Sequence, residues 1–367
     1  MSAYYAAVNR NKRSITVNLK DESGKETIRQ LSKTADIIIH NFKTGTMERL
    51  GLGYDDLSAI NPKLIYCSIT GFGETGPYHH LAGYDYIIQA MSGWMSINGT
   101  EQSGPLKSAW RSQISSQVCM QRSPYKQHSS LGKNRKRTKI DLSLFDCAIS
   151  ALVNVASNYL MSGEVPKPLG NDHPNIVPYS TYEASDGLFV VAVGNDRQFQ
   201  ALCELLEDQS IGADERFRTN AGRVAHRHEL NRRLNDELKK KTRAQWQKLF
   251  EQKGIPCGPV HTLDQVFQHA QTHARNMLIH MDHPDVGTLK LVGTPLKFSH
   301  TPVTYRFAPP LAGEHNDLFI KGGKNLMNFD FTPEQEMLRQ TVRKFVDKEI
   351  LPHIKEWDER GYFDPNI

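Results

Sequence analysis

The stretch "KIDLSLFDC", Lys139 to Cys147, alternates apolar and polar residues as a strand does. It then sets a carboxylate, Asp146, where the apolar run "CAISALVNVASNYLMSG" begins. A carboxylate in the first turn of a helix is favoured by about 0.3–1 kcal/mol. Carboxylates are ionised near neutrality, so such a group needs no base to attack an activated carbonyl. The same place is also the ordinary one for a helix N-cap or first-turn Asp, and the local pattern alone favours that structural role. Asn9, Arg10, Asn11 and Lys12 form a polar loop whose cations and amides suit a pyrophosphate, or simply solvent. Asn41, Phe42 and Lys43 follow an apolar strand, and Arg49 lies in the helix after it; Phe42 suits a core equally well. Ala82-Gly83-Tyr84-Asp85 precedes the helical stretch "YIIQAMSGW", so Asp85 is either a substrate-positioning carboxylate or a helix N-cap. In Asn171-Asp172-His173-Pro174, His173 can meet a carboxylate, or the motif can merely turn the chain.

The elements that must carry these residues alternate. "SITVNL" (14–19) reads as a strand, "KETIRQLSKTA" as a helix and "DIIIHNF" as a short buried strand. "GYDDLSAINPKLIYCSITGFG" supplies another helix and another strand. Such alternation predicts an α/β fold with a parallel sheet. Ligands in such sheets sit at the carboxyl ends of strands, here Asn41-Phe42 and Gly71-Phe72-Gly73. One helix is expected after Asp146, with Leu152, Val155 and Leu160 on its apolar side. From "GNDHPNIVPYSTYEASDGLFVVAVGND" onward the chain enters a smaller unit with a turn at Asp186-Gly187, polar helices from Gln198 to Lys253, and a strand pair joined at Val286-Gly287. "GIPCGPV" (254–260) and Gly313-Glu314-His315 read as structural turns and caps. "PPLAGEHNDLFIKGG" returns to dock on the first unit. The expected divisions are 1–170 for a large domain, 171–300 for a small α+β domain, 301–325 for the return, and 329–367 for a separate amphipathic helical fragment. That fragment opens with Thr332 as N-cap, Pro333 and Gln335.

The chain has 367 residues, 38% of them hydrophobic, and a formal charge of +5. Much of the excess sits between Lys126 and Lys139. "GKNRKRTK" has no interleaved aromatic and belongs to no recognised module, so nucleic acid is not an expected partner. No stretch reaches the roughly 18 apolar residues of a membrane span, and no targeting signal is visible, so no membrane partner is expected. Cys67, Cys119, Cys147, Cys203 and Cys257 are scattered, which points to free thiols in a reducing compartment. No His/Cys cluster has metal-ligand spacing, so no metal site is expected.

At "VNRNKRSITVNLK", "ADIIIHNFKTGTMERLGLGYDDL", "LIYCSITGFGETGP", "AGYD" and "IDLSLFD" the chain resembles the family III CoA-transferases of the CaiB-BaiF type. "HPNIVPY", "GIPCGPV" and "PPLAGEH" extend the resemblance to about Lys321. The nearest likeness is to its mitochondrial members that exchange CoA between succinyl-CoA and glutarate or hydroxymethylglutarate. The resemblance implies a Rossmann-like large domain, a smaller α+β domain and interlocked homodimers, with CoA and acyl-CoA as substrates and no permanently bound cofactor. It implies a mitochondrial location; the residues themselves give only a cytoplasmic default. It implies that Asp146 is the nucleophile, forming an aspartyl anhydride and then an aspartyl-CoA thioester. Asn9 to Lys12 would meet the CoA phosphates and adenine. Asn41, Phe42 and Lys43 would flank the pantetheine, Arg49 the adenine nucleotide, and Ala82 to Asp85 the reacting end. The related 2-methylacyl-CoA racemases carry His in place of Tyr84 to move an α-proton. A phenol, titrating near 10, is a poor two-base partner, which favours transfer over racemisation.

Two departures stand against the resemblance. Family members begin with a further βαβ unit before "VNRNK", so part of the CoA site is expected to be lacking. Where the family has an apolar helix, residues 108–137 carry the basic stretch. Back-translated and read one nucleotide earlier, "SAWRSQISSQVCMQRS" can give V-G-V-A-I-S-D-I-I-T-G-M-Y-A-T-L, which marks 108–137 as a frame-shifted segment. The alternative function is therefore an inactive fragment of the family. The 329–367 fragment resembles the first helices of acyl-CoA dehydrogenases and carries none of their flavin-binding motifs.

Overall fold

The computed structural model describes residues 1–108 and 138–320, together with Met337, Thr341, Lys344 and Lys348. The stretch read as out of frame thus lies outside the described residues, apart from Ser108, as does the 329–367 fragment, apart from those four positions.

Three strands form a parallel sheet: β1 (Ile37–His40), β2 (Ile65–Thr70) and, after a two-residue ladder of β3 (Gly99–Thr100) and β4 (Gly104–Pro105), β5 (Thr138–Ser143). The order is β1-β2-β5, in register at Ile37↔Ile65 and Ile65↔Thr138. The helices Glu22–Ser32 and Tyr54–Ile60 alternate with the first two strands. Met47, Leu52, Leu57, Leu64 and Tyr66 fill the core, and the Tyr66 hydroxyl donates to the Leu52 carbonyl at 3.2 Å. This is the mixed α/β architecture with a parallel sheet that the alternating pattern predicts.

A second core forms around an antiparallel sheet, β6 (Tyr179–Ala184), β7 (Gly187–Ala192) and β8 (Cys257–Pro259). Phe189, Phe199, Leu202, Trp246 and Phe250 are buried there, supplied partly by the helices Asp196–Cys203 and Arg243–Gln252. Arg223 is fully buried within it. Its guanidinium donates to the Val177 and Phe217 carbonyls and to Asp196 Oδ1, at 2.7, 2.9 and 2.7 Å, so the buried charge has acceptors on three segments. A hairpin, β9 (Leu278–His283) and β10 (Gly287–Val292), packs on the N-terminal helix Ala3–Asn9 through Ala6, Ile279, Met281 and Leu291.

Two local expectations are corrected. Ser14 to Leu19 is not a strand. The segment that meets it is the loop 313–316, which offers side chains instead of a ladder: the Ser14 N–H donates to His315 Nδ1 and the Thr16 N–H to Asn316 Oδ1. The Ser14 carbonyl accepts from His315 N–H. An alternating sequence needs an extended neighbour before it becomes a strand. The run after Asp146 is not one helix either. It is Leu144–Ala151 followed by Val153–Ser162, bent by 76°. Val153 sits at φ 41, a left-handed conformation unusual for a β-branched residue. No Gly or Pro marks the break, so the apolar period runs through it unseen, and Leu160 ends up 78% exposed.

Candidate active site

The carboxyl ends of β1 and β2 open on a cleft of ≈ 990 Å³. It is lined by 39–45 with Arg49, by Ile69, Thr70 and Gly71, by 79–84, and by Leu144. Among the predicted residues, Asn41, Phe42, Lys43, Arg49, Ala82, Gly83 and Tyr84 therefore share one cavity.

Gly71 holds this arrangement together. A Cβ there would lie 2.4 Å from the Gly83 Cα, and one on Gly83 would lie 2.3 Å from the Gly71 Cα, so the two backbones meet only because neither carries a side chain. The Gly71 carbonyl accepts the Phe145 N–H at 3.0 Å and the Ser143 hydroxyl at 3.4 Å. Ser143 is the N-cap of Leu144–Ala151, its oxygen accepting the Asp146 N–H at 3.2 Å. Asp146 is thus a first-turn residue, exposed, two positions beyond cleft-lining Leu144. Cys147 and Ala148 turn inward beside Ile88.

The loop after Gly71 is fixed from β5. Asp141 Oδ2 accepts the Glu74 N–H at 2.9 Å, and Lys139 pairs with the Glu74 carboxylate at 2.5 Å. Burial works against the Lys139 ammonium, but its hydrogen bond to Glu74 and the neighbouring carboxylates outweigh this and raise its pKa.

Asp85 does not cap its helix. Tyr84 holds the N-cap position, and Asp85 opens Asp85–Met91, where its Oδ2 accepts from Gln89 Nε2 at 2.9 Å. The buried Gln89 also accepts the Ser108 N–H at 2.9 Å. The Tyr84 ring is exposed.

Among the described residues, the cleft lining carries Lys43 and Arg49 and no carboxylate. Both cations are exposed; Arg49 donates to Thr46 Oγ1 at 2.9 Å. Sequence reasoning missed three histidines that line it, His40, His79 and His80. His40 ends β1 and its ring packs edge-on against Tyr66. Both ring nitrogens are buried without a hydrogen-bond partner among the described residues. Burial lowers its pKa, with Lys139 adding to the effect and Glu74 and Glu48 opposing it. The His79-His80 doublet lies in an irregular loop, where no periodicity could single it out.

Other predicted residues lie elsewhere. Asn11, at φ 60, donates its amide to the Thr304 carbonyl at 2.6 Å and accepts the Arg306 and Phe307 N–H groups. Asn9 reaches back to the Tyr5 carbonyl and accepts from Lys12 Nζ, and the Arg10 guanidinium lies over the Tyr305 ring. His173 stacks on Tyr179 with centroids 5.0 Å apart, and its Nδ1 accepts the Asn175 N–H. Burial, then the charge of Arg227, depress its pKa. Gly254, at φ 65, follows the helix Arg243–Gln252 as an end-of-helix glycine, and Cys257–Pro259 is β8.

Residues 1–316 match CoA-transferase family III, and residues 332–367 match the N-terminal domain of acyl-CoA dehydrogenases. A succinate–glutarate CoA-transferase of Agrobacterium fabrum is 40% identical over 320 residues, covering 86% of this chain and 79% of that protein. The human succinyl-CoA:glutarate CoA-transferase is 34% identical over 321 residues, covering 87% and 73%. A CAIB/BAIF family protein from Brucella suis, known from a crystal structure, is 42% identical with a TM-score of 0.72, over 86% of this chain and 83% of that one.

Proposed function

This chain belongs to CoA-transferase family III, and we propose that it moves CoA from succinyl-CoA to a free dicarboxylate of the glutarate or hydroxymethylglutarate type, with Asp146 as nucleophile. The observation that carries the reading is the cleft itself. Among the described residues its lining has two exposed cations, Lys43 and Arg49, and no acid, together with apolar Phe42, Leu81 and Leu144; Leu144 opens the helix whose first turn carries the exposed Asp146 carboxylate, itself outside the lining. That suits a ligand with phosphates at one end and an amide-rich arm leading to a thioester at the other.

In this reading an Asp146 oxygen attacks the thioester carbonyl and the CoA thiolate leaves, giving a mixed anhydride. The thiolate then attacks the aspartyl carbonyl, releasing the first acid as its carboxylate and leaving an aspartyl-CoA thioester. The acceptor carboxylate attacks that thioester, the thiolate leaves again, and its return to the new acyl carbonyl restores Asp146. Each step exchanges one activated acyl group for another, so no ATP is consumed. The oxyanions this produces call for hydrogen-bond donors such as backbone N–H groups. Lys43 and Arg49 hold the nucleotide end, and Tyr84 and Asp85 border the acyl end. A homodimer is part of the proposal, supported by apolar side chains left in water on Val153–Ser162: Val153, Leu160 and Met161 are 67%, 78% and 89% exposed. So is a mitochondrial setting, supported by the likeness to the human and mouse relatives.

The test incubates the purified chain with succinyl-CoA and glutarate and follows glutaryl-CoA by mass spectrometry. Formation of glutaryl-CoA is expected, together with a CoA adduct on the Asp146 peptide when succinyl-CoA is given alone. A folded chain that exchanges no CoA would refute the assignment, and an adduct elsewhere would refute Asp146.

A further inference from the structure

We propose that His79 is a proton-linked phosphate contact, so that binding of CoA in this cleft draws a proton from solvent onto its imidazole. The inference rests on the CoA reading above. His79 lines the same cleft as Lys43 and Arg49, and the Thr44 hydroxyl donates to the His79 carbonyl at 3.1 Å, tying the segments 39–45 and 79–84 together. Its Nδ1 lies 2.8 Å from the Gly76 carbonyl. A carbonyl only accepts, so Nδ1 carries a hydrogen in either charge state and Nε2 is the nitrogen that gains or loses a proton. With Nε2 bare, its lone pair opposes a phosphate oxygen; with Nε2 protonated, it becomes a charge-assisted donor.

The surroundings set the direction of the coupling. The same cleft is lined by Lys43 and Arg49, with Glu48 on the helix of Arg49, and by His40 at the strand end. On the same segment His80 meets the His79 ring edge-on at 5.4 Å, with Tyr78 and Tyr84 nearby. The one acid of that loop, Glu74, is paired with Lys139. Among the described residues the charged side chains that line the cleft are the cations Lys43 and Arg49. A bound phosphate reverses the sign of the local field and favours the imidazolium.

Calorimetric titration of the full chain with CoA, in two buffers of different ionisation enthalpy at about pH 7.5, counts the protons taken up; an ordinary imidazole is largely neutral there. The phosphomonoester of CoA is itself nearly fully ionised at that pH. Wild type is expected to take up more protons than His79→Gln, which keeps a neutral donor for the Gly76 carbonyl. The variant should also bind CoA roughly five- to tenfold more weakly, as for the loss of one charge-assisted contact. Equal proton counts in the two proteins would overturn this inference alone, whereas absence of CoA binding by wild type would overturn the functional reading with it. A second measurement needs no variant. The His79 ring resonances of the wild-type chain are titrated by NMR with and without CoA; the midpoint should rise, and an unmoved midpoint overturns the proposal.

Discussion

His40 shows what a single misplaced polarity does at the residue scale. A neutral imidazole has one donor and one acceptor, and here both are buried beside Tyr66 and unpaired among the described residues. Burial lowers the pKa of His40, and burial together with Arg227 lowers that of His173. An unfolded chain, with histidines at about 6.5, therefore takes up protons before the folded one does. The stability these groups contribute is present above about pH 6.5 and is lost as pH falls below it. Denaturant melts at pH 7.5 and 5.5 should show lower stability at the acid end, by roughly the linkage of groups titrating near 6.5. His40→Phe, which keeps the ring and removes both orphaned nitrogens, should gain about 1 kcal/mol and flatten the profile. At the proposed nucleophile, Asp146→Ala should abolish CoA exchange while costing no more than about 1 kcal/mol of stability, the contribution of a first-turn carboxylate, because the side chain is exposed and the cap belongs to Ser143. Residual turnover at the wild-type rate would remove Asp146 from the chemistry.

At the scale of elements, the joint between β2, the Leu144–Ala151 helix and the Asp85–Met91 helix is made from backbone and one hydroxyl. Ser143→Ala removes the helix cap and the second bond to the Gly71 carbonyl, and should cost about 1 kcal/mol of stability. Gly83→Ala drives a methyl into the Gly71 backbone and should cost about 1–3 kcal/mol, with CoA exchange falling along with it. Chemical denaturation of both variants checks the order of the two effects. The parallel strands and their helices were legible because apolar runs such as "DIIIHNF" and "LIYCSI" announce themselves, and the strand-end rule led to Asn41, Phe42 and Lys43. Ser14–Leu19 misled because alternation says nothing about the neighbour, and here that neighbour is a loop presenting His315 and Asn316. The bend at Val153 was invisible because its cause is one backbone angle in an unbroken apolar run. His79 and His80 were missed because an irregular loop has no period to mark them.

For the whole molecule, the two cores are built differently. The antiparallel sheet closes on a dense aromatic cluster with Arg223 buried against it. Around the parallel sheet, large apolar side chains remain in water along Val153–Ser162. Such a face is uncommon on a monomer and fits an interface between copies. Sedimentation should give a mass above that of one chain, and Met161→Asp should shift the mass toward the monomer while keeping the fold. A monomeric wild type at micromolar concentration would argue against the interface. The sequence made the α/β class readable, yet not this face: an apolar stripe looks the same whether its partner is the same chain or another one, and of Leu152, Val155 and Leu160 on the expected apolar side it is Leu160 that is exposed.

The contact between Gly71 and Gly83 has a consequence for how such a site can be mapped. An alanine scan works by subtraction, and at this joint the Ser143 hydroxyl is all it can subtract. The other bond to the Gly71 carbonyl comes from the main chain, and the crossing exists because two side chains are absent. A survey that trims side chains would register Ser143 and pass over the two glycines. The crossing itself answers to other changes: a methyl at either glycine, or an ester in place of the Phe145 amide, which deletes an N–H that the Gly71 carbonyl receives from the main chain.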